Sequence, residues 1–152
     1  MGGRGQKYEP RERVLYALIF KRAWKGRAYI GQTVEPKRRE KAHKKGWAEP
    51  FEFVELGRMT GPQSEGEDFE YAWRLRASLA GYEVIAQGWD GDALFVGDTY
   101  TRMDDDRWAI AERLRWPWRL RPRHPLAWAR DWLFWQSAGL AACWMLLRLP
   151  IG

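Results

Sequence analysis

The feature that most constrains the fold is a pair of short β-favouring runs separated by a glycine turn. Residues 14–20 form an apolar run of strand-favouring residues, and residues 27–31 form a second, shorter one. Trp24, Lys25 and Gly26 lie between them. This pattern predicts two paired strands, a β-hairpin with Gly26 at or near its tip.

A highly charged helix is predicted after the hairpin. Pro36 stands where the first turn of a helix tolerates proline, residues 37–45 are strong helix formers, and Gly46 is a stop signal. The helix has almost no apolar face, so its side-chain stems and the contacts of its charges must hold it in place. A charged helix without an apolar face is typical of a binding surface.

The remaining periodic segments complete the expected fold. Residues 51–56 alternate in polarity and predict a third strand, and a helix is predicted from the loop at residues 61–64 to about Leu79, with Gly81 as its cap. Residues 82–86 and 93–96 are candidates for further short strands. We therefore expect an α/β (α+β) fold with a small, mainly antiparallel three-stranded sheet flanked by helices, and a helical C-terminal extension.

The length of 152 residues allows one domain of ordinary size and an added element. We predict a flexible basic leader over residues 1–12, one domain over residues 13–90, and an Arg/Trp-rich helical extension over residues 91–152. Asp104, Asp105 and Asp106 open a predicted helix in that extension, and helix capping explains them better than a metal site.

An apolar stretch at residues 132–147 is shorter than the roughly 20 residues that a spanning helix needs. It is expected to pack within the protein, against a second copy in a homodimer, or on a membrane surface.

Charge and cysteine content narrow the class of partner. Between Arg4 and Lys45 the sequence has fourteen basic and four acidic residues, which favours a polyanion, although a solvated surface explains charge alone equally well. Cys143 is the only cysteine, so one chain forms no internal disulfide and no thiolate zinc cluster. The first residues contain no apolar secretion segment. A cytoplasmic location is expected.

Four segments of the sequence match the motifs of one protein family: LYALIF, AYIGQT, EPKRREKAH and FEYAW. In this order they resemble the GIY-YIG nucleases, and most closely the catalytic domain of the branched-DNA structure-specific endonucleases. The resemblance runs from Val14 to about Gln87. This chain lacks the glycine of the family's first motif, and it has Gln87 where members of the family commonly have asparagine. The positions that match the family's site are Tyr16, Tyr29, Gly31, Arg39, His43 and Glu70.

The resemblance implies a metal-dependent endonuclease that hydrolyses DNA by direct water attack, with one Mg²⁺ or Mn²⁺ ion. Arg39 suits the negative charge that develops on the phosphoryl oxygens, and Glu70 is the implied metal ligand. Water must also lose a proton. A tyrosine accepts that proton only if its own pKa falls from about 10. The sequence leaves open whether Tyr16 or Tyr29 is the base.

The predicted charged helix carries further candidates on two faces. Arg39 and His43 are four residues apart and share a face, so His43 is expected to assist protonation or position a phosphate, while Gly31 supports the site. Arg38, Lys41 and Lys45 fall on another face and are predicted to bind nucleic-acid phosphates.

Two rival functions stay open from sequence. One is a nucleic-acid-binding module that has the same fold without turnover, and the intact site residues argue against it. The other is a membrane-associated interaction protein, which the tryptophan-rich C-terminal region motivates.

Overall fold

A mixed β-sheet flanked by helices organises the chain in this computed structural model, which describes residues 9–87, 93–95 and 102–121. The elements in chain order are β1 (Arg11–Phe20), β2 (Arg27–Thr33), α1 (Pro36–Gly46), β3 (Phe51–Gly61), α2 (Gln63–Leu79), β4 (Glu83–Gln87), β5 (Ala93–Phe95) and α3 (Asp105–Arg113). The α+β class predicted from the sequence is confirmed.

The strand order is β3-β1-β2-β4-β5. β1 is antiparallel to both β2 and β3, β2 is parallel to β4, and β4 is antiparallel to β5. The candidate short strands at residues 82–86 and 93–96 are present as β4 and β5, so the sheet has two strands beyond the expected three, and one of its pairs is parallel. A short run such as β4 contains no signal for its distant partner, whereas pairing with it satisfies the free edge of β2.

The predicted hairpin is present. β1 and β2 pair from Val14 opposite Thr33 to Ile19 opposite Ala28, and Gly26 in the connection has φ of +93°, a conformation that glycine adopts without strain. β1 begins inside the predicted leader of residues 1–12, because its first residue, Arg11, pairs with Gly61 at the end of β3. That pairing also lengthens β3 beyond the predicted residues 51–56.

Alternation along the strands sends side chains to two faces of the sheet. On the first, Leu15 and Ala17 of β1 pack with Trp73 and Ala77 of α2. We call this the α2 face. The opposite one, the α1 face, has an aromatic core that contains Trp47, just beyond α1. The buried strand residues of the α1 face are Tyr16, Leu18, Phe20, Tyr29 and Ile85.

Residues 102–121 belong to the same body as the sheet. Ala111 of α3 packs on α2, while Trp116 and Leu120 join the core of the α2 face. The chain divides into two compact units, Met1–Pro122 and Arg123–Gly152. The division therefore lies after residue 122, and not between residues 90 and 91 as predicted. The backbone N–H of Arg107 donates to Asp104 at 2.9 Å, which confirms the predicted N-cap.

Parts of two predictions fall on residues that the structure does not describe. They are most of the leader, residues 1–8, and the apolar stretch at residues 132–147, with its expected partners. Across the described ranges, no helix has both the length and the apolar character needed to cross a bilayer.

Candidate active site

Tyr16 is the centre of a hydrogen-bonded cluster on the α1 face. The residue is 0% exposed, and its Oη lies 2.7 Å from Nε2 of His43. Nε of Arg39 donates to the same oxygen at 3.1 Å. Arg39 and His43 are one helical turn apart on α1, so both reach the middle of β1 from the same side, as their spacing predicts.

Trp47 settles which nitrogen of His43 bears the proton. The indole N–H of Trp47 donates to Nδ1 of His43 at 3.0 Å, and an indole nitrogen is a donor only. Nδ1 is therefore unprotonated, and the proton of the neutral imidazole is on Nε2. His43 then donates to Tyr16, whose oxygen accepts from both His43 and Arg39. In this arrangement His43 is not a base that takes the proton of Tyr16.

The pKa values of this cluster follow from burial and from one guanidinium. Burial, with the positive charge of Arg39 beside it, lowers the pKa of His43 to about 4, so the imidazole is neutral at pH 7. Burial also raises the pKa of Tyr16, and Tyr29 raises it further, while Arg39 opposes both. Tyr16 is therefore protonated in the free protein at neutral pH.

Gly31 is where the two tyrosines come close to the backbone of β2. A Cβ at this position would lie 2.7 Å from Oη of Tyr16 and 2.9 Å from Cε1 of Tyr29. Any side chain here would push one or both rings aside. The close approach of both rings therefore favours glycine at residue 31.

A cleft of about 620 Å³ opens at the end of the sheet where β1 begins and β2 ends. Tyr29 lines it, but the buried Tyr16 and His43 do not, so neither contacts the cleft directly. Six of the residues that line the cleft are Arg13, Tyr29, Gln32, Arg39, Glu67 and Glu70.

Glu70 is the predicted metal ligand, and α2 supplies it to the cleft. Its side chain is 16% exposed and forms an ion pair with Arg74, one turn further along. Burial raises the pKa of Glu70 and the nearby Glu67 adds to the rise, whereas Arg74 and Arg39 oppose it. Of its two carboxylate oxygens, Oε1 is the one that Arg74 contacts.

The donor set suits a hard cation that retains much of its water. The described part of the chain assembles no group of three or more His, Cys, Asp or Glu side chains able to hold a metal. Glu70 and Glu67 nevertheless line one cleft, and Mg²⁺ commonly uses one or two carboxylates together with water and substrate phosphate. These residues fit Mg²⁺ or Mn²⁺ in that mode, and they do not fit a fully protein-ligated ion.

The three predicted phosphate-binding residues, Arg38, Lys41 and Lys45, are exposed on α1 and do not line the cleft. Arg38 pairs with Glu35 at 3.0 Å, while Lys41 and Lys45 have no ion-pair partner among the described residues. All three side chains therefore lie outside the cleft that Arg39 and Glu70 line.

Sequence reasoning missed several residues that hold the site together. Trp47 and Arg74 each lie four residues after a predicted site residue, His43 and Glu70, so helical spacing could have found them. Glu67 lies one turn before Glu70 and could have been found in the same way. Arg13 and Gln32, also in the cleft, have no comparable signal, because strand alternation does not reveal which helix packs above a given residue.

No protein-family model, curated protein or solved structure matches this chain.

Proposed function

We propose that this protein is a metal-dependent endonuclease that hydrolyses phosphodiester bonds in DNA, as the resemblance to the GIY-YIG nucleases implies. The observation that carries the proposal is that separated residues meet in one place. Tyr16, Arg39 and His43 form a hydrogen-bonded cluster, and Arg39 shares a cleft with Tyr29 and Glu70. Each has the chemistry that phosphodiester hydrolysis requires.

Arg39 is assigned to the phosphoryl group that reacts. Its Nε donates to Tyr16, Tyr29 is a second side-chain hydrogen-bond partner, and the side chain lines the cleft where a ligand would bind. A guanidinium stays protonated and offers a planar set of donors, so it stabilises the extra negative charge of the pentavalent state. Because the guanidinium of Arg39 is oriented before the substrate binds, it needs little reorganisation during the reaction.

Tyr29 is assigned to the attacking water, because it is the tyrosine that lines the cleft. Tyr16 is completely buried, and both lone pairs of its neutral hydroxyl are used by Arg39 and His43. We therefore assign Tyr16 and His43 to positioning: they fix the guanidinium of Arg39 rather than contact the substrate.

Glu70, with Glu67 beside it, would hold one divalent cation. Such an ion, when bound, supplies positive charge next to the phosphoryl oxygens and makes bound water more acidic. The protein's own part is to present a carboxylate that is already partly desolvated. Arg74 fixes the orientation of that carboxylate through its ion pair.

The exposed cations Arg38, Lys41 and Lys45 would bind the backbone beside the cleft, in a manner independent of sequence. Nucleic acid, and DNA before RNA, is the proposed partner. The proposed compartment is the cytoplasm, which suits a chain whose single cysteine forms no internal disulfide.

The decisive experiment incubates the purified protein with plasmid, linear duplex, branched DNA and RNA. Mg²⁺ or Mn²⁺ is supplied, and a chelator is added to parallel samples. Cleavage that needs the metal and is lost in Glu70→Gln supports the proposal. The matched control is Glu112→Gln, which neutralises an exposed carboxylate on α3, outside the cleft. Binding without cleavage in every sample would point instead to a non-catalytic nucleic-acid-binding module.

A further inference from the structure

Arg13 is a buried cation that the proposed chemistry has not yet used. It is 7% exposed, and no carboxylate of the described residues lies within ion-pair distance of it. Its Nε donates to the carbonyl oxygen of Gly61 at 3.2 Å, and its Nη1 donates to Oε1 of Gln32 at 3.4 Å. Neutral acceptors compensate a buried guanidinium only in part, so an anion beside it would be stabilising.

The surroundings of Arg13 hold it in one orientation. Gln32 donates through Nε2 to the carbonyl oxygen of Gln63 at 3.2 Å, which leaves its Oε1 turned towards Arg13. Gly66 of α2 faces both side chains. A Cβ there would overlap the amide of Gln32 and lie 3.0 Å from Cδ of Arg13. The absence of a side chain at residue 66 therefore leaves the space that Arg13 and Gln32 occupy.

Arg13 lines the same cleft as Arg39, but from the other face of the sheet. Residues 13 and 15 alternate to the α2 face, whereas Arg39 reaches the cleft from α1. Nε and Nη1 of Arg13 have acceptors, whereas Nη2 has no hydrogen-bond partner among the described residues and is not enclosed, and the side chain lines the cleft. The cleft is thus lined by two arginines and two carboxylates, and the two arginines come from opposite faces of the sheet.

We propose that Arg13 binds a second phosphate of the substrate, next to the phosphate that reacts at Arg39. Naming nucleic acid as the ligand rests on the proposed function, but a phosphate site at Arg13 does not require turnover. Two fixed arginines would set the direction in which a strand crosses the cleft. They would also make an internal phosphodiester a better substrate than one at the end of a strand.

The test measures binding of a dye-labelled DNA duplex by fluorescence anisotropy in chelator, over a series of salt concentrations. Arg13→Gln is compared with Arg58→Gln, which removes the same charge from an exposed arginine of β3 outside the cleft. Loss of one phosphate contact should lower the slope of log K against log salt by about 0.9. We expect that decrease in Arg13→Gln and a smaller one, or none, in Arg58→Gln. Equal slopes in wild type and Arg13→Gln would overturn the proposal.

A second measurement keeps the inference separate from folding and from catalysis. Arg13→Lys retains the charge, and circular dichroism reports whether both Arg13 variants are folded. Inorganic phosphate should raise the melting temperature of wild type more than that of Arg13→Gln; an equal rise in both would reject the site even if the enzyme cuts DNA. If instead phosphate and DNA binding depend on Arg13 but no substrate is cleaved, the phosphate site stands and the nuclease proposal fails.

Discussion

The two faces of the sheet are built by different means, although β1 supplies alternate residues to both. The α2 face packs aliphatic and small side chains from the sheet, together with Trp73 and Trp116, around the buried stripe of α2. The α1 face packs aromatic rings, and α1 itself buries only His43. Hydrophobic packing is roughly proportional to buried area, whereas hydrogen bonds have fixed directions. The α2 face therefore contributes stability mainly through burial, whereas the α1 face contributes the directed hydrogen bonds that position Arg39.

The docking of α1 shows the difference most clearly. A helix without an apolar stripe is not held by general burial. It is held by the contacts of His43 and Arg39 with Tyr16, and by Trp47, whose ring lies 5.2 Å from that of Phe20 and 5.8 Å from that of Tyr29. Substitutions on the two faces should therefore separate loss of activity from loss of stability.

The largest expected effect is on the α1 face, in Arg39→Ala. Cleavage should fall by about 10²–10³-fold, because a pre-organised donor to the developing charge is removed. Binding of uncut DNA in chelator should change much less, since the interaction is made mainly in the transition state. Single-turnover cleavage and anisotropy measure the two quantities. A cleavage rate within threefold of wild type would show that Arg39 does not take part in the chemical step.

The opposite result is expected on the α2 face, in Leu15→Ala. Leu15 is completely enclosed beside Ala17 and Trp73, and truncating such a residue costs about 3–4 kcal/mol of unfolding free energy. Cleavage per folded molecule should stay close to wild type. Urea denaturation gives the first value and single-turnover kinetics the second. If cleavage falls as steeply as in Arg39→Ala, the two faces are not separable and the comparison fails.

Acidification should weaken the α1 face through His43. The pKa of His43 is lowered to about 4 from its ordinary value of 6.5, so the unfolded chain binds more protons than the folded one between those pH values. Stability that is present above pH 6.5 is lost as the pH falls towards 4, by about 3 kcal/mol in total. In His43→Gln, which still offers one acceptor and one donor, this part of the loss should be absent. Parallel acid profiles in the two proteins would show that His43 is not the group responsible.

Trp47→Phe should have a smaller effect, because it deletes one hydrogen bond and retains an aromatic ring. The expected cost is about 1 kcal/mol of stability, with a decrease of several-fold in cleavage as His43 loses its fixed tautomer. Nitrogen NMR of the imidazole should report Nε2–H in wild type and a mixture in the variant. Trp24→Phe, in the same aromatic cluster but without a bond to His43, is the control. An unchanged tautomer in Trp47→Phe would refute the assigned role.

The smallest effect on chemistry is expected on the outer side of α1. Replacing Arg38, Lys41 and Lys45 together with alanine should lower the slope of log K against log salt by about 0.9 for each lost phosphate contact. The rate of cleavage of bound DNA should not change, because none of the three lines the cleft. Titrations in salt and single-turnover rates test the two statements. A slope equal to that of wild type would show that this side of α1 does not touch the backbone.

Local sequence patterns by themselves determined much of this protein. Two β-favouring runs around Gly26 specified the hairpin, Pro36 and Gly46 bounded α1, and Asp104 capped α3 as predicted. The four-residue spacing of Arg39 and His43 put both on one side of a helix, where they meet Tyr16. These features depend on residues close in sequence, so the backbone geometry of a single helix or turn is enough to predict them.

Only the tertiary structure decided which distant groups meet. It paired β4 with β2 and brought Trp116 and Leu120 into the core of the α2 face. It buried Tyr16 while leaving Tyr29 to line the cleft, and it brought Arg13 into the same cleft as Arg39. Periodicity reports the side of an element on which a residue lies, but the partner on that side depends on how the elements pack. Contacts across about 20 or more residues are therefore properties of the whole fold, and no local pattern contains them.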